Sequence, residues 1–499
     1  MVCAAISSTY FRKAFEWLLQ RQPLQDLVLV SAIALNPTLR SGENEAMHHS
    51  PSRSLPPAPR WLAPTLLTVA VGVGCAATPK APAPASAATP APAVQAPPAI
   101  VQATPFAHPE PTPAAPAPAP VFAPVPVPAR ASTFAQWVAE FSTTARAAGI
   151  TEATLHQAFD TVRLVPNVIA SDQAQPEFTR TVWAYLDTAV SPQRVTRGQA
   201  QLRNLPRQVD TVPSRYGVPL DIIAAIWGME SNYGSFMGTL PTIDALATLG
   251  FEGRREAWAK DQLLAALRIL QNGDIARANM IGSWAGAMGQ TQFLPSNYLA
   301  YAVDADGDGR RDIWSSLPDV IASTANFLAR SGWQRGQPWG VEVRLPPGFD
   351  YGGSDVQQTA ALWAAAGVQT LDGTPLPALT DSSVLLPAGA RGPAFLIGTN
   401  FRTLLRYNNS TSYALGVSLL AQRLSGGAAV QTPWPRDLQA LSRTQIQALQ
   451  TTLNARGFES GTPDGIMGPA TRSGVRDYQR SLHLPADGYP TVELLQRLK

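Results

Sequence analysis

Between Ala77 and Ala129 the chain is mostly proline and alanine, with scattered valine and threonine. Each proline removes a backbone donor and breaks helices and inner strands, and the stretch has no repeating apolar face. Residues 76–131 therefore read as a disordered, semi-extended tether of about 50 residues at roughly 3 Å each. Folding is confined to the residues beyond it. The remaining chain is long enough for two domains with cores of their own. Gly426, Gly427 and the Thr432-Pro433-Trp434-Pro435 cluster divide it, giving a large domain at 132–425, a linker at 426–437 and a small module at 438–499.

Upstream of the tether, Trp61 to Gly74 is an apolar run preceded by Arg53 and Arg60 and closed by Cys75. It is too short for a comfortable membrane span and resembles a bacterial lipoprotein signal at 47–75, with Cys75 as the lipidated residue. The lipobox departs from the usual pattern at Gly72, where a leucine is usual. An uncleaved membrane anchor is the alternative. Met47 is a natural start, which makes 1–46 an upstream extension. Lipidation at Cys75 supplies more than one acyl chain, enough for stable anchoring. By the same resemblance Ala76, not being aspartate, favours the periplasmic side of the outer membrane of a Gram-negative bacterium.

The net charge of +3 and the 15% of charged residues leave little support for nucleic-acid binding. Only five histidines and two cysteines occur, and His156 alone falls within the large domain. That scarcity excludes the ligand set of a zinc amidase and the imidazole of Ser-His or Cys-His hydrolases. A carboxylate enzyme survives the elimination.

The carboxylate is Glu230. Ile222-Ile223-Ala224-Ala225-Ile226-Trp227-Gly228-Met229-Glu230 reads as an apolar helix with Pro219 near its start and Gly234 as its stop. Ile223, Ile226, Trp227 and Glu230 share one face, which normally points into a core. A carboxyl group there loses hydration, and its pKa rises toward the range of a general acid. A solvent-facing or Arg-paired glutamate is the plainer alternative.

Glu230-Ser231-Asn232-Tyr233-Gly234 is followed, in order, by Ser283-Trp284-Ala285-Gly286-Ala287-Met288-Gly289-Gln290-Thr291-Gln292-Phe293-Leu294-Pro295-Ser296 and by Arg406-Tyr407-Asn408-Asn409-Ser410-Thr411-Ser412-Tyr413-Ala414. Together the three stretches resemble the membrane-bound lytic murein transglycosylase B family. The resemblance implies a mainly α, lysozyme-like catalytic domain. It also implies cleavage of the MurNAc-GlcNAc β-1,4 bond of peptidoglycan with formation of 1,6-anhydro-MurNAc ends. Glu230 would then act as acid and afterwards as base, with no catalytic cofactor. Carried over residue by residue, Ser231, Ser283, Gln292, Tyr407 and Asn408 are the expected substrate contacts. Glycosidases commonly pair two carboxyl groups. Asp244, Glu252 and Glu256 therefore keep a hydrolytic muramidase open as an alternative, beside a non-catalytic peptidoglycan anchor.

Asp304, Asp306, Asp308, Arg310 (through its carbonyl) and Asp312 occupy positions 1, 3, 5, 7 and 9 of an EF-hand-type loop with Gly309 at position 6. Ser315 stands where the bidentate glutamate belongs, so affinity for a structural Ca2+ should be weaker unless Asp319 bends in. The family also carries such a loop.

In the last module Ser442-x-x-Gln445 is a capping box, Ile446, Leu449 and Leu453 form a helical stripe, Gly457 stops it, and Pro469 opens a helix with Val475, Tyr478 and Leu482 on one face. Asp464-Gly465-Ile466-Met467-Gly468-Pro469-Ala470-Thr471, Tyr478-Gln479 and Ala486-Asp487-Gly488 resemble the peptidoglycan-binding type 1 domain. A small three-helix wall-binding domain is expected, with peptidoglycan as partner; no protein partner is legible.

Overall fold

The computed structural model describes residues 133–173 and 180–498. The extension at 1–46, the signal with Cys75 and the Pro/Ala tether lie outside the described residues. Among the described residues no helix is long and apolar enough to cross a membrane.

The fold is mainly helical. It opens with Phe134–Ala147, whose N-cap Thr133 forms a complete capping box with Gln136, and continues with Glu152–Phe159, capped by Thr151. At the centre lies Leu220–Ser231, the acid helix, enclosed by Pro192–Arg203, Leu317–Arg330 and Thr411–Leu424. Every residue from Ile222 to Ser231 is buried, so the helix is covered all round rather than on one face as its spacing suggested. The reason lies in composition: Ala224, Ala225 and Gly228 give the far side too little bulk to hold neighbours off. Each large apolar side chain buried there contributes about 1.5–3 kcal/mol, which offsets the cost of enclosing a carboxyl group.

Small residues also set the close approaches. A Cβ on Gly228 would lie 2.6 Å from the Tyr233 ring, and one on Gly198 would lie 2.1 Å from its hydroxyl. The Tyr233 side chain fills the space between the acid helix and Pro192–Arg203. The helix ends one step earlier than Gly234 suggests, with Asn232 (φ 49°), Tyr233 (φ 59°) and Gly234 (φ 75°) all left-handed in succession. Ser231 Oγ accepts the Gly234 N–H at 3.0 Å and closes this turn.

Strands β1 Leu240–Pro241 and β2 Ile281–Gly282 pair with each other. Strands β3 Gly340–Arg344, β4 Gln369–Thr370, β5 Ser383–Leu385 and β6 Ala394–Ile397 form a four-stranded antiparallel sheet in the order β4-β3-β6-β5, which was not legible in the sequence. Strand β6 is buried on both faces. Phe395 and Ile397 join the main core, whereas Ala394 and Leu396 join a smaller one with Val343, Val384 and Trp363.

The C-terminal module is a three-helix unit, Arg443–Ala455, Pro469–Ser481 and Val492–Leu498, around Ile446, Leu449, Leu453, Val475 and Tyr478. The segment leading to it is strapped down. Glu342 of β3 accepts the N–H groups of Gln431 at 2.9 Å and Thr432 at 2.8 Å, and Arg436 forks onto Asp187 at 2.8 and 2.9 Å. The module itself docks on the larger domain: Asp487 accepts the Ala390 N–H at 2.7 Å and Arg476 pairs with Asp355 at 2.7 Å.

Candidate active site

Glu230 sits on the last turn of the acid helix and is 2% exposed. Tyr413, in the first turn of Thr411–Leu424, donates its hydroxyl to Glu230 Oε1 at 2.5 Å. The other oxygen, Oε2, is buried without a hydrogen-bond partner among the described residues. Burial raises the Glu230 pKa to about 8, against a smaller lowering by the Tyr413 hydrogen bond. At neutral pH the group is thus a protonated acid that Tyr413 holds by one oxygen, leaving the other for a reacting partner.

The second motif is tied to the acid helix through Trp227 and to the third motif through Tyr407. Gln290 Oε1 accepts the Trp227 indole N–H at 2.7 Å while its amide donates to Trp314 O at 2.8 Å, tying the acid helix to the acidic loop. Gln292 is left-handed (φ 51°), and its amide donates to Gly289 O at 2.8 Å and Met237 O at 3.1 Å. Both its Oε1 and the Thr291 hydroxyl are buried without partners among the described residues. Backbone strain beside unpaired acceptors is a feature of binding sites. Ser283 Oγ accepts the Ala287 N–H at 3.1 Å, which leaves its own proton available.

From the third motif, Tyr407 donates to Thr291 O at 2.7 Å and stacks on Tyr413, ring centroids 6.5 Å apart. Burial and the Glu230 charge together hold its pKa well above the ordinary value. Asn408 caps the Thr399–Tyr407 helix. Glu230, Gln292 and Tyr407 are thus linked through Thr291 and Tyr413. Ser231 is fully buried and spends its hydroxyl within the turn, on Trp227 O and Gly234 N. Sequence reasoning missed Tyr413 as the partner of the acid. It falls inside the third motif, yet a tyrosine in an apolar helix reads as core.

Among the described residues no neighbouring carboxylate contributes to the titration of Glu230. Asp244 is engaged by the Arg163 N–H at 2.8 Å and by Arg277 at 3.1 Å, Glu252 by the Arg254 N–H at 3.0 Å, and Glu256 by Lys260 at 2.6 Å.

In the acidic loop, ligand oxygens of Asp304, Asp306 and Asp319 converge to within 4.8 Å of one another. Asp319 is fully buried, accepts the Ala305 and Asp312 N–H groups at 2.7 Å each, and is pushed up to about 6 by desolvation. Asp308 instead pairs with the Arg310 side chain at 3.0 Å, and Asp312 accepts from Trp314 N, Ser315 N and the Ser315 hydroxyl. The convergent set is therefore two residues of the expected loop plus Asp319. Three carboxylates with hard oxygen donors and no histidine suit calcium.

A buried helix that carries one enclosed carboxyl group against a tyrosine, inside a mainly helical domain, has the form of the lysozyme-like class of glycan-cleaving enzymes. The family model for the transglycosylase SLT domain matches residues 133–422 and that for a peptidoglycan binding domain matches 442–498, and the chain belongs to the transglycosylase SLT family. Membrane-bound lytic murein transglycosylase B of Escherichia coli (strain K12) is 34% identical over 248 residues, which span 48% of this chain and 66% of that relative. The structure of SltB3 from Pseudomonas aeruginosa, in complex with NAG-anhNAM-pentapeptide, is 52% identical, with a TM-score of 0.72 over 74% of this chain and 100% of that one. Escherichia coli Slt35 in complex with calcium is 31% identical, with a TM-score of 0.51 over 58% of this chain and 92% of that one.

Proposed function

We propose that this chain is a lytic transglycosylase that cleaves the MurNAc-GlcNAc β-1,4 bond of peptidoglycan by means of Glu230 alone. The single observation that carries the reading is the buried Glu230 carboxyl group, held by Tyr413 through one oxygen while the other has no partner among the described residues. In the first step the Glu230 proton passes to the glycosidic oxygen as its bond to C1 breaks. The carboxylate then takes the proton of the muramic acid C6 hydroxyl, O6 bonds to C1, and a 1,6-anhydro ring closes. Glu230 ends protonated and no water is consumed. A group titrating near ambient pH suits both roles. This reading assigns sugar hydroxyls and N-acetyl groups to Gln292 Oε1, the Thr291 hydroxyl and the Ser283 proton, the first two of which have no partner among the described residues. The relatives' names and the peptidoglycan-fragment complex of SltB3 support the substrate class.

Mass analysis of fragments released from purified peptidoglycan tests the reading. Fragments ending in 1,6-anhydro-MurNAc, one water lighter than hydrolytic products, are expected. Reducing ends would identify a muramidase, and no fragments would identify an anchor.

The acidic loop is proposed to take a structural Ca2+ through Asp304, Asp306 and Asp319. Excess calcium should raise the melting temperature by an amount set by its ratio to the dissociation constant, and chelation should reverse the gain. Asp319→Asn should abolish the calcium response; a variant that keeps the full response would refute the ligand set. At the other end of the chain, a lipid on Cys75 would hold the enzyme on the periplasmic side of the outer membrane. Cys75→Ser should then move the protein from the membrane to the soluble fraction of cells, and unchanged partition would overturn the anchor.

A further inference from the structure

Where the C-terminal module docks, it leaves a cleft of about 540 Å³ against the catalytic domain. One wall is Asn409-Ser410-Thr411-Ser412, the cap and first residues of the Thr411–Leu424 helix that carries Tyr413, the partner of the acid. The opposite wall is the module's Ile466, Met467, Arg472 and Arg476. A second cleft continues it, sharing Val182, Pro387, Met467 and Arg472 and adding Arg180.

Together the two clefts are lined by three arginines, Arg180, Arg472 and Arg476, against two carboxylates, Asp355 and Asp487. Arg472 and Arg476 are four residues apart on one helix, a spacing that sets two cations side by side at a cost. Arg476 has an ion pair with Asp355 at 2.7 Å. Arg472 is exposed to the cleft and has no hydrogen bond or ion pair from its side chain among the described residues. The second carboxylate on the wall, Asp487, already accepts from Gln479 Nε2 at 2.7 Å, Ala390 N at 2.7 Å and Tyr489 N at 2.8 Å. Asp355 lends Arg472 charge but no hydrogen bond, so the cleft presents a guanidinium whose donors are unused among the described residues. A planar guanidinium in a walled cleft favours a carboxylate, which it can hold by two parallel hydrogen bonds.

Glycan strands of the wall are neutral along their hydroxyl and N-acetyl face, whereas the peptide stems carry carboxylates. We propose that this cleft is a subsite for a peptide-stem carboxylate, held by Arg472 with Arg476 and Arg180 beside it, and that it makes the enzyme prefer glycan bearing stems. This rests on the transglycosylase reading above. On this view the module does more than bind the wall: it completes a specificity site that ends at the start of the helix carrying Tyr413.

The test compares the full chain with Arg472→Gln and Arg472→Lys on two substrates, purified peptidoglycan and the same peptidoglycan with its stem carboxylates converted to neutral amides. Arg472→Gln should raise KM on the carboxylate-bearing substrate about tenfold, the worth of one charge-assisted hydrogen bond, and leave kcat and the amidated substrate unchanged. Arg472→Lys should recover part of the loss, and all three proteins should share one melting temperature. Equal losses on both substrates, or no loss on either, would overturn the subsite. Co-sedimentation with the two wall preparations reads the same preference without turnover. If the unmodified chain released no fragments, that result would sink the transglycosylase reading, and the co-sedimentation ratio would still decide the subsite.

Discussion

Glu230→Gln should lower turnover of peptidoglycan by about 10³-fold, the usual worth of a positioned general acid, while making the folded protein more stable at pH 8. The two effects share one cause. Burial holds the Glu230 proton up to a pH of about 8, against an ordinary value of 4.5. Between those values the folded chain keeps a proton that the unfolded chain has released. Stability is therefore greatest below the ordinary value, falls as pH rises through this window, and levels off above the folded value. Over the whole window the loss is on the order of 5 kcal/mol. A glutamine has no proton to lose and can still accept from Tyr413. The stability gain of Glu230→Gln over wild type should then widen between pH 5 and pH 8, read from thermal melts across that range. Melting curves that run parallel at every pH would show that Glu230 does not hold the buried proton. The same titration predicts that activity declines as pH climbs past about 8, since the acid form is the one that starts the reaction.

How far the sequence revealed this site depends on which interactions are local. The apolar run before Glu230 announced both a helix and a buried carboxyl group, because spacing along one helix decides them. Capping residues were equally legible: Ser442 with Gln445 forms its box within one turn. Tyr413 was not, because its contact with Glu230 spans 183 residues of chain and nothing in its own surroundings distinguishes it from a core tyrosine. Asp319 was named only as a substitute for Ser315, since the backbone turn that brings it to Asp304 and Asp306 is set by the N–H groups of Ala305 and Asp312. The sheet was hidden for a different reason. Strand β6 is a continuous apolar run, Ala394-Phe395-Leu396-Ile397, with cores on both sides, and such a run has no alternation to mark it. The docking of the C-terminal module likewise rests on pairs far apart in sequence, among them Arg476 with Asp355 and Asp487 with Ala390.

The second large effect is expected at a glycine outside the acid helix. Gly238 has φ +87°, and a Cβ placed there would lie 2.0 Å from the Gly282 carbonyl oxygen and 2.7 Å from the Ser283 nitrogen. Both obstacles are main chain, so no side chain can swing aside. Gly238 precedes β1, which pairs with β2 through Leu240 and Gly282, and its neighbour Met237 accepts the Gln292 amide at 3.1 Å. An alanine would therefore wedge apart the contact that holds Ser283 and Gln292 beside the acid helix. We expect Gly238→Ala to cost about 3–5 kcal/mol in denaturant unfolding and to remove most activity. Gly273 supplies the control: its φ is +77°, but a Cβ there would meet nothing within 4 Å. Gly273→Ala should cost only the left-handed backbone strain, about 1–2 kcal/mol, with turnover unchanged. Equal costs at the two positions would mean that the backbone around Gly282 yields, and that the close approach of the two loops does not hold the second motif in place.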